Sequence, residues 1–312
     1  MRALVVSNML ADEQQPQRGR FVRDQVAALR ELGGIDVELF EFAPGARALA
    51  QATRELRRRY GRERFDVVHA HFGLSAWPAL AARARARALT LHGTDLAHPR
   101  TRLATRAALP FVDLVATASE ALIGQVPGRR ARAQARVLPC GVDVERFRPI
   151  ERASARAALD LPLDTPLLLF PADPARPEKR HDRALQLADA TGARLLALGA
   201  VQPERVPLYV NAANAVIVPS EREGFGLAAL EALACDVPVL ATPVGIHPPA
   251  LAGIAGSLCA PFDLREWSEA LTPHLAAVDP RIAGRRRAEQ FSARRMAERV
   301  ADAWRALRPD AG

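Results

Sequence analysis

The stretch PSEREGFGLAALEALACDVPVLAT, Pro219 to Thr242, decides the fold. A strand-like run, Ala215 to Val218, precedes it, and Val237 to Ala241 near its end reads as another strand. Between them lies a helix pattern carried by Leu227, Leu230 and Leu233 and opened by Gly224-Phe225-Gly226. A helix start collects unpaired N–H groups and favours an anion. Glu223 stands in the Gly-rich turn and Glu231 on the helix, with seven residues between them. A carboxylate on the apolar side of a helix is costly unless something satisfies it. The stretch therefore offers a phosphate seat with one carboxylate before it and one behind. A capping carboxylate and a buried ion pair would be the ligand-free explanation.

Outward from this stretch, strand and helix patterns alternate in both directions. Upstream, strands are expected at 2–7, 37–40, 66–71, 88–91, 112–116 and 135–138, with helices at 19–32, 46–60 and 74–86 and a short one after Ser119. A Pro- and Arg-containing connection, 139–166, leads to a second series with strands at 167–170, 194–198 and 215–218. Helices are expected at 181–190, 204–213 and 264–276, and over 282–307 with a break near Phe291-Ser292. This βαβα order predicts an α/β protein with parallel sheets covered by helices on both faces. Two Rossmann-like domains facing across a cleft follow, 1–148 and 149–291, with ligand at the carboxyl ends of the strands.

Composition narrows the function. At 312 residues and 49% apolar content, the chain can build two cores. No run of 18 or more apolar residues marks a membrane span, and Met1 to Met9 passes straight into a strand pattern without a signal-peptide layout. Cys140, Cys235 and Cys259 are odd in number and far apart, which points to a reducing cytoplasm and to neither a disulfide frame nor a zinc site. The net charge of +8 invites a nucleic-acid reading. The basic residues are 42 arginines and one lysine, however, and runs such as Arg83 to Arg87 alternate with alanine and lack aromatics. No nucleic-acid partner is expected; a peripheral basic face on anionic lipid at the inner membrane surface fits better. Where arginine is the default, the lone Lys179 marks a task arginine cannot perform.

Two further strand ends carry polar groups. PADPARPEKRHD, Pro171 to Asp182, places Arg176 and Lys179 on a proline-stiffened loop entering a helix, a layout suited to a diphosphate or to a solvated charged loop. His92-Gly93-Thr94-Asp95 sets a histidine at a strand end, where glycine lets a ligand approach the backbone; a hydrogen-bonded turn histidine is the other reading. His69 and His71 share one strand face without a third ligand, so no metal site is expected. Gly19, between Arg18 and Arg20, opens a helix that either holds a phosphate or simply begins there. No G-x-G-x-x-G follows a strand and no P-loop occurs.

At these residues a resemblance emerges. EGFGLAALE resembles the E-x7-E motif of the retaining family-4 glycosyltransferases, and DVVHAHFG, LHGTD, ASE, LPCGVDVERFRP and the PEK loop match in the same order over almost the whole chain. The resemblance implies a GT-B fold, a C-terminal helix (292–312) crossing back to the first domain, a nucleotide-sugar donor, no cofactor and no metal. It implies that Glu223 holds donor-sugar hydroxyls and Glu231 the ribose hydroxyls. The turn Gly224-Phe225-Gly226 and the N–H groups at Gly226 and Leu227 take the diphosphate. Lys179 and Arg176 neutralise it, His92 faces the sugar and Gly19 approaches phosphate or acceptor. The acceptor would be a glycan, a lipid-linked molecule or a small molecule. A catalytically idle sugar-nucleotide-binding protein and a GT-B epimerase are the alternatives.

The sequence also departs from the family. Pro174 stands where arginine is usual, and Asp236 where glycine is. Ile246-His247-Pro248-Pro249 replaces a second glycine and a glutamate. The segment after Leu198-Gly199 is short, which resembles a compact teichuronic-acid-type branch concerned with cell-surface polymers.

Overall fold

The computed structural model describes residues 1–199 and 201–307. They form two compact units. The first comprises residues 1–12, 18–141 and the described segment from Ala293 onward; the second comprises Glu13–Gln17 and Val142–Ser292. The changeover comes at Gly141–Val142, upstream of the 148/149 boundary expected from sequence. The last residues of the terminal segment, 308–312, lie outside the described residues.

The first unit is built on β1 (Arg2–Ser7), β2 (Asp36–Glu41), β3 (Arg64–His71), β4 (Arg83–Leu91), β5 (Leu114–Thr117) and β6 (Arg136–Val137). They lie in the order β2-β1-β3-β4-β5-β6, every pair parallel. The second unit holds β7 (Leu167–Phe170), β8 (Arg194–Ala197), β9 (Ala215–Val218), β10 (Val239–Ala241) and β11 (Leu258–Cys259) in the order β8-β7-β9-β10-β11, also parallel. Both sheets thus share one winding: second strand, first, third, fourth, fifth. The order reverses between β1 and β3 in one unit and between β7 and β9 in the other. In open α/β sheets such reversals leave a crevice at the carboxyl ends of the strands, where ligands bind.

Several elements differ from expectation. The helices Pro99–Ala108 and Arg129–Gln134, the helix Arg152–Ala158 inside the expected connection 139–166, and β11 are not anticipated from the sequence. Residues 74–86 do not form a helix. Only a 3₁₀ turn and the short helix Ala76–Ala79 occur, and β4 already begins at Arg83. The Arg/Ala alternation of 83–87 has the two-residue period of a strand, and β4 pairs with β3 from Arg83 opposite Arg64 to Thr90 opposite His71. Partner strands override the helix propensity of alanine and arginine.

The helix Ala293–Ala306 belongs to the first unit, as the expected crossing-back requires. Met296, Ala297, Val300, Ala301 and Trp304 recur with the 3.6-residue period and are buried in the core with Val22, Val26 and Leu29 of the helix Arg20–Glu31. Trp304 is fully buried, and its indole N–H donates to His69 Nδ1 at 3.2 Å. The second unit has its own core, where Leu168, Phe170, Ile217 and Leu240 of the sheet meet Trp267 and Leu271. Among the described residues no helix is long and apolar enough to cross a membrane. All three cysteines are free.

Trp304→Ala should therefore destabilise the first unit by about 3–5 kcal/mol in denaturant unfolding; a loss under about 1 kcal/mol would contradict this packing role.

Candidate functional site

The carboxyl end of β9 leads into Pro219-Ser220, and the carboxyl end of β7 into the loop that carries Lys179. These strands flank the reversal in the second sheet, so Lys179 and Glu223, 44 residues apart in sequence, meet at 2.5 Å. Their side chains are only 14% and 7% exposed. Ser220 Oγ donates to the other carboxylate oxygen of Glu223 at 2.8 Å. Burial by itself would raise the Glu223 acid, but the Lys179 charge and the Lys179 and Ser220 hydrogen bonds outweigh it. The carboxylate is therefore held below its ordinary range. The two loops are joined again where Glu221 N–H donates to the Glu178 carbonyl at 2.9 Å and Arg180 pairs with Glu221.

Directly after Glu223, the chain turns through Gly224, buried Phe225 and Gly226 into the helix Leu227–Ala234. Gly226 is the N-cap with φ 102°, where only glycine is unstrained. A Cβ there would also lie 2.6 Å from His247 Nε2. The turn 244–247 backs this one: Ile246 N–H donates to the Phe225 carbonyl at 2.7 Å, and a Cβ on Gly245 would meet Glu223 Cβ at 3.0 Å. The helix start is thus fixed from behind, and unpaired N–H groups at a helix start favour an anion.

Other expected residues are placed differently. Glu231 is half-buried on the helix, so it does not carry the full burial cost anticipated from the apolar pattern around it. Arg176 is 49% exposed and turns to Glu178, with Nη2 2.7 Å from its carboxylate. Asp236, where the family usually has glycine, adopts φ 56°. Its carboxylate accepts the N–H groups of Gly284 and Arg285 at 2.9 and 2.8 Å, which anchors the helix Arg285–Glu289. That anchoring supplies a reason for aspartate at a glycine position.

In the first unit, His92 follows β4 and His71 ends β3. Asp95 organises the loop: its buried carboxylate accepts N–H groups from His92 and Gly93 (3.1 and 2.9 Å) and from Gly73 across the neighbouring strand end (3.1 Å). Burial pushes the Asp95 acid up to about 6, although those N–H donors oppose the shift. His71 Nδ1 and His92 Nε2 lie 2.9 Å apart, and His69 Nε2 lies 2.8 Å from Thr90 Oγ1. Phe21 and Phe72 close over His92 with ring centroids at 4.8 and 4.6 Å. Gly19 caps the helix that begins with Arg20 and carries Phe21; its φ of 70° and the Met9 backbone against it leave no room for a side chain. Burial lowers His69 and His92 to about 3 and His71 well below its ordinary value. Among the described residues no group of three or more His, Cys, Asp or Glu side chains is placed to hold a metal.

Sequence reasoning missed four supporting residues: Ser220, Asp95, Trp304 and His247. Asp95 was within reach, because a carboxylate three residues after a strand-end histidine is a turn signal. The other three act through contacts that sequence spacing does not display.

Two doubly wound parallel units, the second with a charged pair and a helix start at its reversal point, make up a GT-B architecture. Residues 10–146 match the family described as Glycosyltransferase Family 4, and residues 164–276 the family described as Glycosyl transferases group 1. A D-inositol 3-phosphate glycosyltransferase of Saccharomonospora viridis is 31% identical over 304 residues, covering 77% of this chain and 70% of that protein. The counterpart in Mycobacterium avium is 33% identical over 275 residues, covering 72% of this chain; the chain spans 64% of its length. The chain belongs to the family-4, group-1 glycosyltransferases. Its fold is shared with sucrose-phosphate synthase of Thermosynechococcus elongatus (TM-score 0.75, 22% identity, 98% of this chain and 99% of that one). It is shared too with Anabaena HepE solved with UDP and glucose (TM-score 0.70, 16% identity, 97% and 99%).

The buried histidines predict acid lability. The unfolded chain protonates His69 and His92 near 6.5, whereas the folded chain resists to about 3, so stability present above 6.5 is lost as pH falls. Each contributes about 1.4 kcal/mol per pH unit within that window. Asp95 works the other way between about 6 and 3.8, because its folded carboxyl keeps the proton. The histidines outnumber it, so the melting temperature should drop from pH 7.5 to pH 5. A flat or rising profile would contradict their burial in the neutral form.

Proposed function

We propose that the chain is a retaining glycosyltransferase that moves a sugar from a nucleotide-sugar donor to an acceptor hydroxyl, without an essential metal. The observation that carries this reading is the buried Lys179–Glu223 pair beside the Gly226 helix start, at the reversal of the second sheet. Breaking a sugar–phosphate bond builds positive charge on the sugar and negative charge on the diphosphate. Fixed donors and a cation at the leaving group stabilise that separation, with roughly 3 kcal/mol per well-placed donor.

In the free protein Lys179 and Glu223 neutralise one another. A bound donor supplies a better partner for each: diphosphate oxygens for the ammonium, sugar hydroxyls for the carboxylate. Glu231, half-exposed on the helix after the seat, takes the ribose. His92 and Gly19 keep the sugar-facing and phosphate- or acceptor-facing roles that the family resemblance implies. Arg176 would have to leave Glu178 to assist. The substitution proceeds on one face of the sugar, and the leaving phosphate takes the acceptor proton. The HepE structures solved with UDP and with UDP-glucose make UDP the first nucleotide to test. The compact form resembles a branch concerned with cell-surface polymers, the acceptor class proposed here, and the three unpaired cysteines suit a cytoplasmic enzyme. Leu103 and Phe111, 68% and 53% exposed near Arg100, Arg102 and Arg106, would rest on anionic lipid.

A thermal-shift panel of UDP, GDP, ADP and their common sugars tests the donor seat, because a ligand of the folded state raises the melting temperature by mass action. One nucleotide should stabilise, and Lys179→Ala should lose that response while lowering the baseline by about 3 kcal/mol, since it strands a buried carboxylate. No shift with any nucleotide would remove the assignment. Glu223→Ala should bind nucleotide yet lose sugar transfer, whereas Glu231→Ala should weaken nucleotide binding itself. Equal loss of binding in both would undo this division of roles. Wild-type protein that binds nucleotide sugars and transfers nothing across acceptors would favour the idle binding protein.

Membrane contact is read separately: the chain should sediment with anionic vesicles and not with neutral ones, and Leu103→Ser with Phe111→Ser should weaken that binding.

A further inference from the structure

A buried imidazole with one unsatisfied nitrogen stands behind the helix start. His247 is fully buried. Its Nδ1 lies 2.8 Å from the Thr242 carbonyl oxygen. A carbonyl only accepts, so Nδ1 carries the ring proton and, in the neutral ring, Nε2 is a bare lone pair. Nε2 has no hydrogen-bond partner. It is aimed at Gly226, where an added Cβ would fall 2.6 Å away. Buried polar atoms are nearly always paired, so an orphan at this place calls for a cause.

The surroundings supply one. Two positive influences bear on the ring: the helix N-terminus at Gly226 and the Lys179 ammonium; Arg287, at the far end of the helix His247–Leu251, is engaged by the Pro249, Ala250 and Ala252 carbonyls. Glu223 is the opposing negative charge, already shared with Lys179 and Ser220. Burial, partly offset by Glu223 and by the Thr242 bond, lowers the imidazole below its ordinary value. A lone pair facing a positive helix end suits a neutral ring. A diphosphate on the seat reverses the local field. By drawing Lys179 away, it also leaves the Glu223 carboxylate short of its cation beside the ring.

We propose that His247 is the proton-taking residue of the diphosphate seat, neutral in the free protein and an imidazolium facing Gly226 once a nucleotide sugar is bound. The proton comes from solvent and enters at Nε2; the Nδ1–H bond to Thr242 stays, and no other bond forms or breaks. The proposal rests on the reading of Gly226 and Leu227 as the diphosphate seat. It gives His247 a task at a position where the family pattern has no histidine.

Isothermal titration calorimetry on the full chain reads this directly, using whichever nucleotide sugar stabilises it, in two buffers of different ionisation enthalpy near pH 7. A sugar-capped diphosphate does not titrate between pH 5 and 8, so protons taken up enter the protein. Wild type should take up part or all of one proton, with affinity falling about tenfold per pH unit across the window between the free and bound histidine. His247→Gln should bind with that uptake gone and the pH dependence flattened. Histidine ¹H–¹⁵N spectra of the wild type, free and bound, read the same nitrogen without depending on how the variant folds: Nε2 should change from bare to protonated. Binding with Nε2 bare in both states, or with uptake unchanged in His247→Gln, overturns the proposal and leaves the seat standing. Absence of any nucleotide-sugar binding overturns the seat, and the proposal with it.

Discussion

The candidate donor site depends on one ion pair. Lys179 and Glu223 are each nearly buried, and either one alone would be an uncompensated charge under cover. Together they tie the loop after β7 to the loop after β9, with Ser220 and the Glu178–Glu221 backbone bond as the adjoining ties. The pair also explains why a chain that otherwise uses arginine keeps one lysine. An ammonium is a compact point charge that fits a dry contact and can transfer to a phosphate; a guanidinium brings a wide planar fork that needs several acceptors.

That pair is useful because of where the winding puts it. Both units follow the same strand order, so each has a reversal, and in each the polar side chains collect at the carboxyl ends beside it. In the second unit these are a cation, a carboxylate and a helix start. In the first they are buried histidines braced by Asp95, Thr90 and Trp304. The two clusters treat charge differently. The Lys179–Glu223 contact stabilises ionised groups, whereas the histidines are kept neutral by burial and by sharing protons among ring nitrogens that cannot all be donors.

Much of the fold was legible in the sequence because period and punctuation are local. Val5, Val68, Leu169 and Ile217 sit in apolar runs too short for helices, and glycine or polar loops bound them. The segment 74–86 was not legible: an Arg/Ala alternation satisfies helix propensity as well as strand period, and only pairing with β3 decides between them. The site was legible where a residue was rare or a motif dense, as at Lys179 and the EGFGL turn. Arg176 looked equivalent to Lys179 on the same loop, yet the chain turns it outward to Glu178.

Residues close together in the chain carry the alternation of elements, the family pattern, the helix start at Gly226 and the two glutamates around it, so local spacing reveals each of them. Tertiary structure alone decided which of those groups meet. It joined Lys179 to Glu223 across 44 residues and brought Trp304 to His69 across 235. It made Asp236 an anchor for the helix at Arg285, and it turned His247 toward Gly226 with an unpaired nitrogen. Sequence spacing orders neighbours along one chain, whereas burial, field and proton affinity are set by what packs around a group from elsewhere in the fold.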